Sequence, residues 1–174
     1  MQNTTSASRV AIWWRKNATR FLAFCWFLGI ALGCMAAAAS GPVLADLVRR
    51  STGASLSITG AMTAAVLPLL LSAFAVSFSE PWLLLFISTF KAFSFSFCAW
   101  GVCLAFGQSG WLVLFLFLFS DVFLIPLLYF YWLRHIRGDR TPRTWELPAF
   151  LTASLGIGCI DYLFIAPFLA SLMH

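Results

Sequence analysis

The chain has 174 residues, 61% of them hydrophobic and only 10% charged, with a formal net charge of +5. Soluble domains carry roughly 45–50% apolar and about 25% charged residues, and so short a chain has no interior large enough to hide the excess. The composition excludes a soluble globular domain and a nucleic-acid module, whose basic residues would cluster on a polar face, and points to an all-α, polytopic membrane protein.

Met1 to Arg20 is polar, then basic and aromatic, with Arg9, Arg15, Lys16 and Arg20 around Trp13-Trp14. Tryptophan and cationic side chains both favour the headgroup layer, so residues 1–20 read as a cytoplasmic tail leading into an interfacial anchor. The remainder, 21–174, reads as a single helical membrane domain. Its first span is expected over 21–39. There Gly29 and Gly33 form a G-x-x-x-G, extended by Ala37 into a small-residue stripe that lets another helix approach closely. Basic residues ahead of this run and Ala36 to Ala39 at its end also fit a signal peptide, and Ala31-Leu32-Gly33-Cys34 loosely fits a lipoprotein box. The apolar run, however, exceeds the roughly 7–15 residues of a signal core.

Ser40 to Gly60 reads as a loop lying on the membrane surface. Within it Pro42 is placed to start a short helix over Val43–Arg50, with Arg49 and Arg50 where cations suit the helix dipole. The second span is expected over 61–78, kinked at Pro68. Ser79-Glu80-Pro81 breaks the chain before a third span over 82–106. The short polar turn Gly107-Gln108-Ser109-Gly110 then makes the fourth span, 111–132, its antiparallel neighbour, with Pro126 in the last third. A polar loop holding Arg134, Arg137, Arg140 and Arg143 leads to a fifth span over 147–172, interrupted by Gly156-x-Gly158 and by Pro167.

Five spans place the termini on opposite sides. Eight basic residues lie in the N-terminal tail and the fourth-to-fifth loop, whereas only Arg49 and Arg50 lie in the loops of the other side. The positive-inside rule therefore predicts a cytoplasmic N-terminus and an outside C-terminus. Trp13, Trp14, Trp82, Trp132 and Trp145 would line the cytoplasmic interface and Trp111 the outer one.

Lys91, Asp121 and Asp161 are the charges expected inside spans. At 1.5 Å per residue, Lys91 lies roughly 13 Å from one end of its helix and Asp121 roughly 15 Å from the opposite end of the next, so both are near the midplane. A charge in hydrocarbon costs at least a few kcal/mol and faces a protein interior or a wet cavity. Counting back from the turn sets Asp121 opposite Ser96 and Lys91 opposite Pro126, so a direct bridge requires tilted or offset helices. Two readings stand: a structural charge pair or a snorkelling Lys91, or a polar pathway or partner contact. Phe93-Ser94-Phe95-Ser96-Phe97 alternates like a strand, but a lone strand cannot satisfy its backbone in lipid, so helix is expected, with the serines bonded to the preceding turn.

No catalytic constellation, phosphate loop or H-E-x-x-H is present. Cys25, Cys34, Cys98, Cys103 and Cys159 all fall in apolar runs without a C-x-x-C pair, far from His135 and His174. They read as small buried hydrophobes rather than as disulfides or metal ligands. The sequence therefore predicts no catalytic residue, no cofactor and no metal. Intramembrane polar candidates are Lys91, Asp121, Asp161 and Tyr162, and helix-packing candidates are Gly29, Gly33 and Pro126. His135 and its neighbouring arginines form an interfacial loop, topological in role or able to bind anionic lipid.

Several of these residues carry a resemblance. Lys91-Ala92 inside a span, Gly110-Trp111 at a turn, Ile125-Pro126, then Asp161, Tyr162 and Pro167 in the last span resemble the stage II sporulation protein M family of bacterial membrane proteins. The likeness extends over Leu67 to Met173, and Gly29-x-x-x-Gly33 fits the family's start. Phe119, Ser120 and Asp121 stand where the family usually has proline, a polar residue and glycine or asparagine, and the spacing of Asp161, Tyr162 and Pro167 is wider. The resemblance implies a non-enzymatic scaffold or accessory protein of the bacterial plasma membrane. Such a protein would organise partner proteins, or self-associate, in sporulation or cell-envelope remodelling. Founding members assemble with peptidoglycan-degrading partners during forespore engulfment. The rival expectation is a small transporter or channel, or its substrate-binding subunit, built on the midplane charges and the broken fifth helix.

Overall fold

The computed structural model describes residues 3–53, 58–77, 81–107, 110–137 and 145–173, and these are almost entirely helical, with no strand among them. In chain order the elements are α1 (Asn3–Gly53), α2 (Ile58–Ser77), α3 (Pro81–Phe106), α4 (Gly110–Phe117), α5 (Phe119–Arg137) and α6 (Glu146–Ile160). A π-helical turn, Asp161–Ile165, then leads into α7 (Ala166–Met173). Three helical stretches are long and apolar enough to cross a membrane: Lys16–Arg50, Trp82–Phe106 and Glu146–Phe168. In α2 the apolar stretch is the shorter Thr63–Ser77. Only Leu118 separates α4 from α5. Its N–H donates to the Leu114 carbonyl at 3.0 Å and its carbonyl accepts from Val122 at 3.1 Å, so one hydrogen-bonded rod passes through the irregularity.

The dominant packing is between α1 and α3. Gly29 rests on Thr89, Ala92 and Phe93, Gly33 on Phe93 and Ser96, and Gly101 receives Leu44 and Val48 at 3.1 Å from where its own Cβ would stand. Sequence numbers rise together along both helices, so they run parallel, and α2 lies between them in the chain. The stripe at Gly29 and Gly33 is thus filled from within the chain. No side chain intervenes, and the two backbones come close enough for many small dispersion contacts to accumulate.

The core falls into two clusters. One gathers Leu22 of α1, Leu69 of α2, Leu84 of α3 and Leu124, Leu128 and Trp132 of α5; the other, at the far end of α1 and α3, holds Ala37, Leu44, Val48, Val102 and Ala105. Outward faces are equally apolar: Phe27, Met35, Phe86, Trp111, Phe130 and Phe164 are each two-thirds or more exposed. So much exposed apolar surface exceeds what a soluble monomer carries.

Several expectations need correction. Ser40 to Gly53 is not a surface loop. The short helix expected over Val43–Arg50 is present, but it continues directly from the first span across a kink at Gly41 (φ 15°, ψ −98°). Pro42 removes an N–H there, and the turn aims Leu44 and Val48 at α3. Arg49 then reaches over, its Nε and Nη2 donating to the Ala105 carbonyl at 3.0 and 2.7 Å and capping the end of α3. The rest of the expected loop at 54–57, Ser79-Glu80, Gln108-Ser109, Arg140, Arg143 and His174 lie outside the described residues. The N-terminal tail is helical from Asn3. Trp132 does not line an interface: it is fully buried, and its indole N–H donates to Ser72 Oγ at 2.6 Å. Gly156-x-Gly158 leaves α6 unbroken, and the interruption falls instead at Asp161–Ile165. Pro167 supplies the reason, since its ring clashes with the carbonyl one turn back and a widened turn just upstream relieves it.

Candidate functional site

Of the four polar candidates, Lys91 on α3 and Asp121 on α5 meet directly, whereas Asp161 and Tyr162 lie on the π-helical turn that packs against α5. Lys91 Nζ donates to Asp121 Oδ1 at 2.5 Å, with the two side chains only 16% and 18% exposed. Helix α3 carries Lys91 on the face that, one and two turns on, presents Phe95 and Cys98. The Cys98 thiol lies within electrostatic range of both charges. Asp121 stands three residues past the irregularity at Leu118, and its carboxylate also acts on Asp161 at the start of the π-helical turn. A direct pair is the least costly state for two charges so largely enclosed by protein, because each satisfies the other. Asp161 makes no ion pair or side-chain hydrogen bond among the described residues, and neither does Tyr162, half-buried beside it.

Local sequence explains the positions. Ser88 and Thr89 donate to the Leu85 carbonyl and Ser96 to that of Phe93, so the polar groups flanking Lys91 are satisfied within α3. Phe90, Phe93 and Phe97 stack along the same helix, with centroids 6.4 and 5.8 Å apart. Among the described residues no group of three His, Cys, Asp or Glu side chains is arranged to hold a metal ion, and the five cysteines are unbridged.

A second polar group, not foreseen from the sequence, closes the end of the bundle near the fourth-to-fifth loop. Arg134 Nη2 lies 2.7 Å from Glu146 Oε1, and Glu146 is 3% exposed. The contact is an ion pair by distance but not aligned as a hydrogen bond, and both carboxylate oxygens lack hydrogen-bond partners among the described residues. His135 rests on Tyr131 with ring centroids 4.4 Å apart. Burial holds its imidazole below the ordinary value of 6.5; the Glu146 carboxylate opposes that and Arg134 reinforces it. The signal available in the sequence is a lone acid directly after an arginine-rich loop.

A groove of about 530 Å³ runs between α1 and α5, lined by Ala23, Trp26, Phe27, Ile30, Ile125, Pro126, Tyr129 and Phe130. Pro126, expected as a packing residue, is exposed along this groove. Trp26 also leans on Trp132, with centroids 6.4 Å apart. No protein-family model, curated protein or solved structure matches this chain.

Proposed function

We propose that this chain is a non-enzymatic scaffold or accessory protein of the stage II sporulation protein M type. It would cross the bacterial plasma membrane five times, with its N-terminus in the cytoplasm and its C-terminus outside. Parallel α1 and α3 with an antiparallel α5 fit that threading, and the exposed phenylalanines and leucines fit a lipid solvent. The observation that carries the reading is the Lys91–Asp121 pair. Two midplane charges that neutralise one another tie α3 to α5 and act as a structural strut. The remaining outer surface is apolar helix, suited to other membrane proteins in sporulation or envelope remodelling.

One specific observation favours the second reading, a small transporter or channel. The Asp121 carboxylate lies within electrostatic range of Asp161, and helix irregularities occur at Leu118, three residues before Asp121, and at Asp161 itself. Broken helices beside midplane charges are a recurring feature of transport sites. Cys98 separates the two. With the other four cysteines replaced by alanine, a charged, membrane-impermeant thiol reagent is added to intact membranes. A dry strut leaves Cys98 unlabelled, and co-purification from native membranes then recovers a partner in fixed ratio. Rapid labelling of Cys98 means that water reaches the pair, and the scaffold reading falls.

A further inference from the structure

We infer that the groove between α1 and α5 is a binding site for one anionic phospholipid, its acyl chain in the groove and its phosphate among Lys16, Arg20 and Arg137. The inference needs only that the bundle sits in a bilayer; it does not depend on the scaffold reading. The lining of the groove is apolar and aromatic throughout, which suits a hydrocarbon chain and offers nothing to a polar ligand. On α1 the lining residues Ala23, Trp26, Phe27 and Ile30 follow helical spacing, and the same face continues backwards through Arg20, Thr19 and Lys16. On α5 the lining ends at Phe130 and the helix continues to Arg137, whose Nη2 donates to Thr19 Oγ1 at 2.7 Å. That bond joins the two helices directly beyond the end of the groove. Lys16 and Arg20 are exposed there, and neither they nor Arg137 has a carboxylate partner among the described residues. Arg134, by contrast, is committed to Glu146.

Length argues for a lipid rather than a helix as occupant. From Arg20 to Ile30 is roughly 15 Å of helix, about half of the ~30 Å hydrocarbon core. The groove therefore matches one leaflet's acyl chain with its headgroup at the basic end, whereas a transmembrane partner helix would require a seam through both leaflets. An uncharged headgroup would leave the cations without a counter-charge; a phosphodiester headgroup with net negative charge supplies one.

The test is native mass spectrometry of the full chain released from nanodiscs containing equal amounts of phosphatidylglycerol and phosphatidylcholine. Phosphatidylglycerol is expected to stay bound preferentially. Arg20→Gln, at an exposed position that leaves packing intact, should lower that retention about fivefold, as should Arg137→Gln, which keeps a donor for Thr19. Ala23→Phe fills the groove and should abolish retention of either lipid. In parallel, a photo-crosslinking residue at Ala23 should attach to lipid. Equal retention of the two lipids with no response to Arg20→Gln overturns the inference, as does a crosslink from Ala23 to another protein. A chain that leaves membranes without detergent would instead overturn the bilayer premise itself, an outcome seen before any lipid is measured.

Discussion

Lys91 and Asp121 show how a charge is kept inside an apolar bundle. The side chains are only 16% and 18% exposed, so losing one partner leaves the other charge poorly compensated. Lys91→Met should therefore destabilise the protein by about 3 kcal/mol, and Lys91→Met with Asp121→Leu by clearly less than the sum of the two single changes. Thermal unfolding in detergent measures both. His135 gives a pH-dependent counterpart. Its imidazole is held below 6.5 chiefly by burial, so the folded state favours the neutral ring. The stability this contributes is present above 6.5 and is lost as pH falls through 6.5 and on through the depressed value. Unfolding temperature should thus drop on acidification from about pH 7.5 to about pH 5, and His135→Gln should flatten that part of the profile.

At the scale of elements, α1 and α3 are held at short range by what their contact faces lack. A Cβ on Gly33 would stand 2.5 Å from the Phe93 carbonyl oxygen and would collide with Ser96 Oγ; one on Gly29 would meet Ala92 at 2.8 Å. Carbonyl oxygens of a neighbouring helix cannot swing aside as a flexible side-chain end can, so the helices must separate. Gly33→Ala is expected to cost about 1–3 kcal/mol by overpacking. Gly156→Ala, where nothing lies within 4 Å, is the matched control and should be neutral or slightly stabilising in the same unfolding assay. Trp132 makes the complementary tie, since Ser72 accepts its indole N–H while donating to the Pro68 carbonyl at 2.6 Å, locking α5 to α2. Asp161–Ile165 belongs to the same scale: the N–H of Ala166 reaches back to the Asp161 carbonyl, the wide register that opens at an acid and ends two residues before Pro167.

For the whole molecule, the proposed orientation rests on the distribution of charge. Basic residues concentrate before the first apolar stretch and after α5, and the threading predicted from them has a direct check. In a background without native cysteines, Arg9→Cys and Arg140→Cys should react with an impermeant maleimide from the same side of the membrane, and His174→Cys from the opposite side. Labelling of Arg9→Cys and Arg140→Cys from opposite faces would refute the five-span threading. The two core clusters also divide the labour along the membrane normal. The large aromatic and leucine cluster joins five helices, α1, α2, α3, α5 and α6, whereas the cluster of Ala37, Leu44, Val48, Val102 and Ala105 joins α1 and α3 with the start of α4. The second is the thinner tie, and Arg49 on the Ala105 carbonyl reinforces it.

Helical class, the long apolar stretches and the identity of the awkward charges are all legible in the sequence, because hydropathy and the cost of a buried charge act residue by residue. So is the close-approach surface at Gly29 and Gly33, though not which helix uses it. The choice of α3, running parallel, depends on how the whole bundle packs, and no local pattern encodes that. The same holds for Lys91 and Asp121. Counting from the turn sets them out of register, yet Lys91 Nζ meets Asp121 Oδ1 across the two helices. Trp132 reads as interfacial by residue type and is buried because Ser72, on another helix, supplies its acceptor. Local chemistry decides which groups require a partner; tertiary packing decides which partner each one meets, since those contacts join residues far apart in the chain.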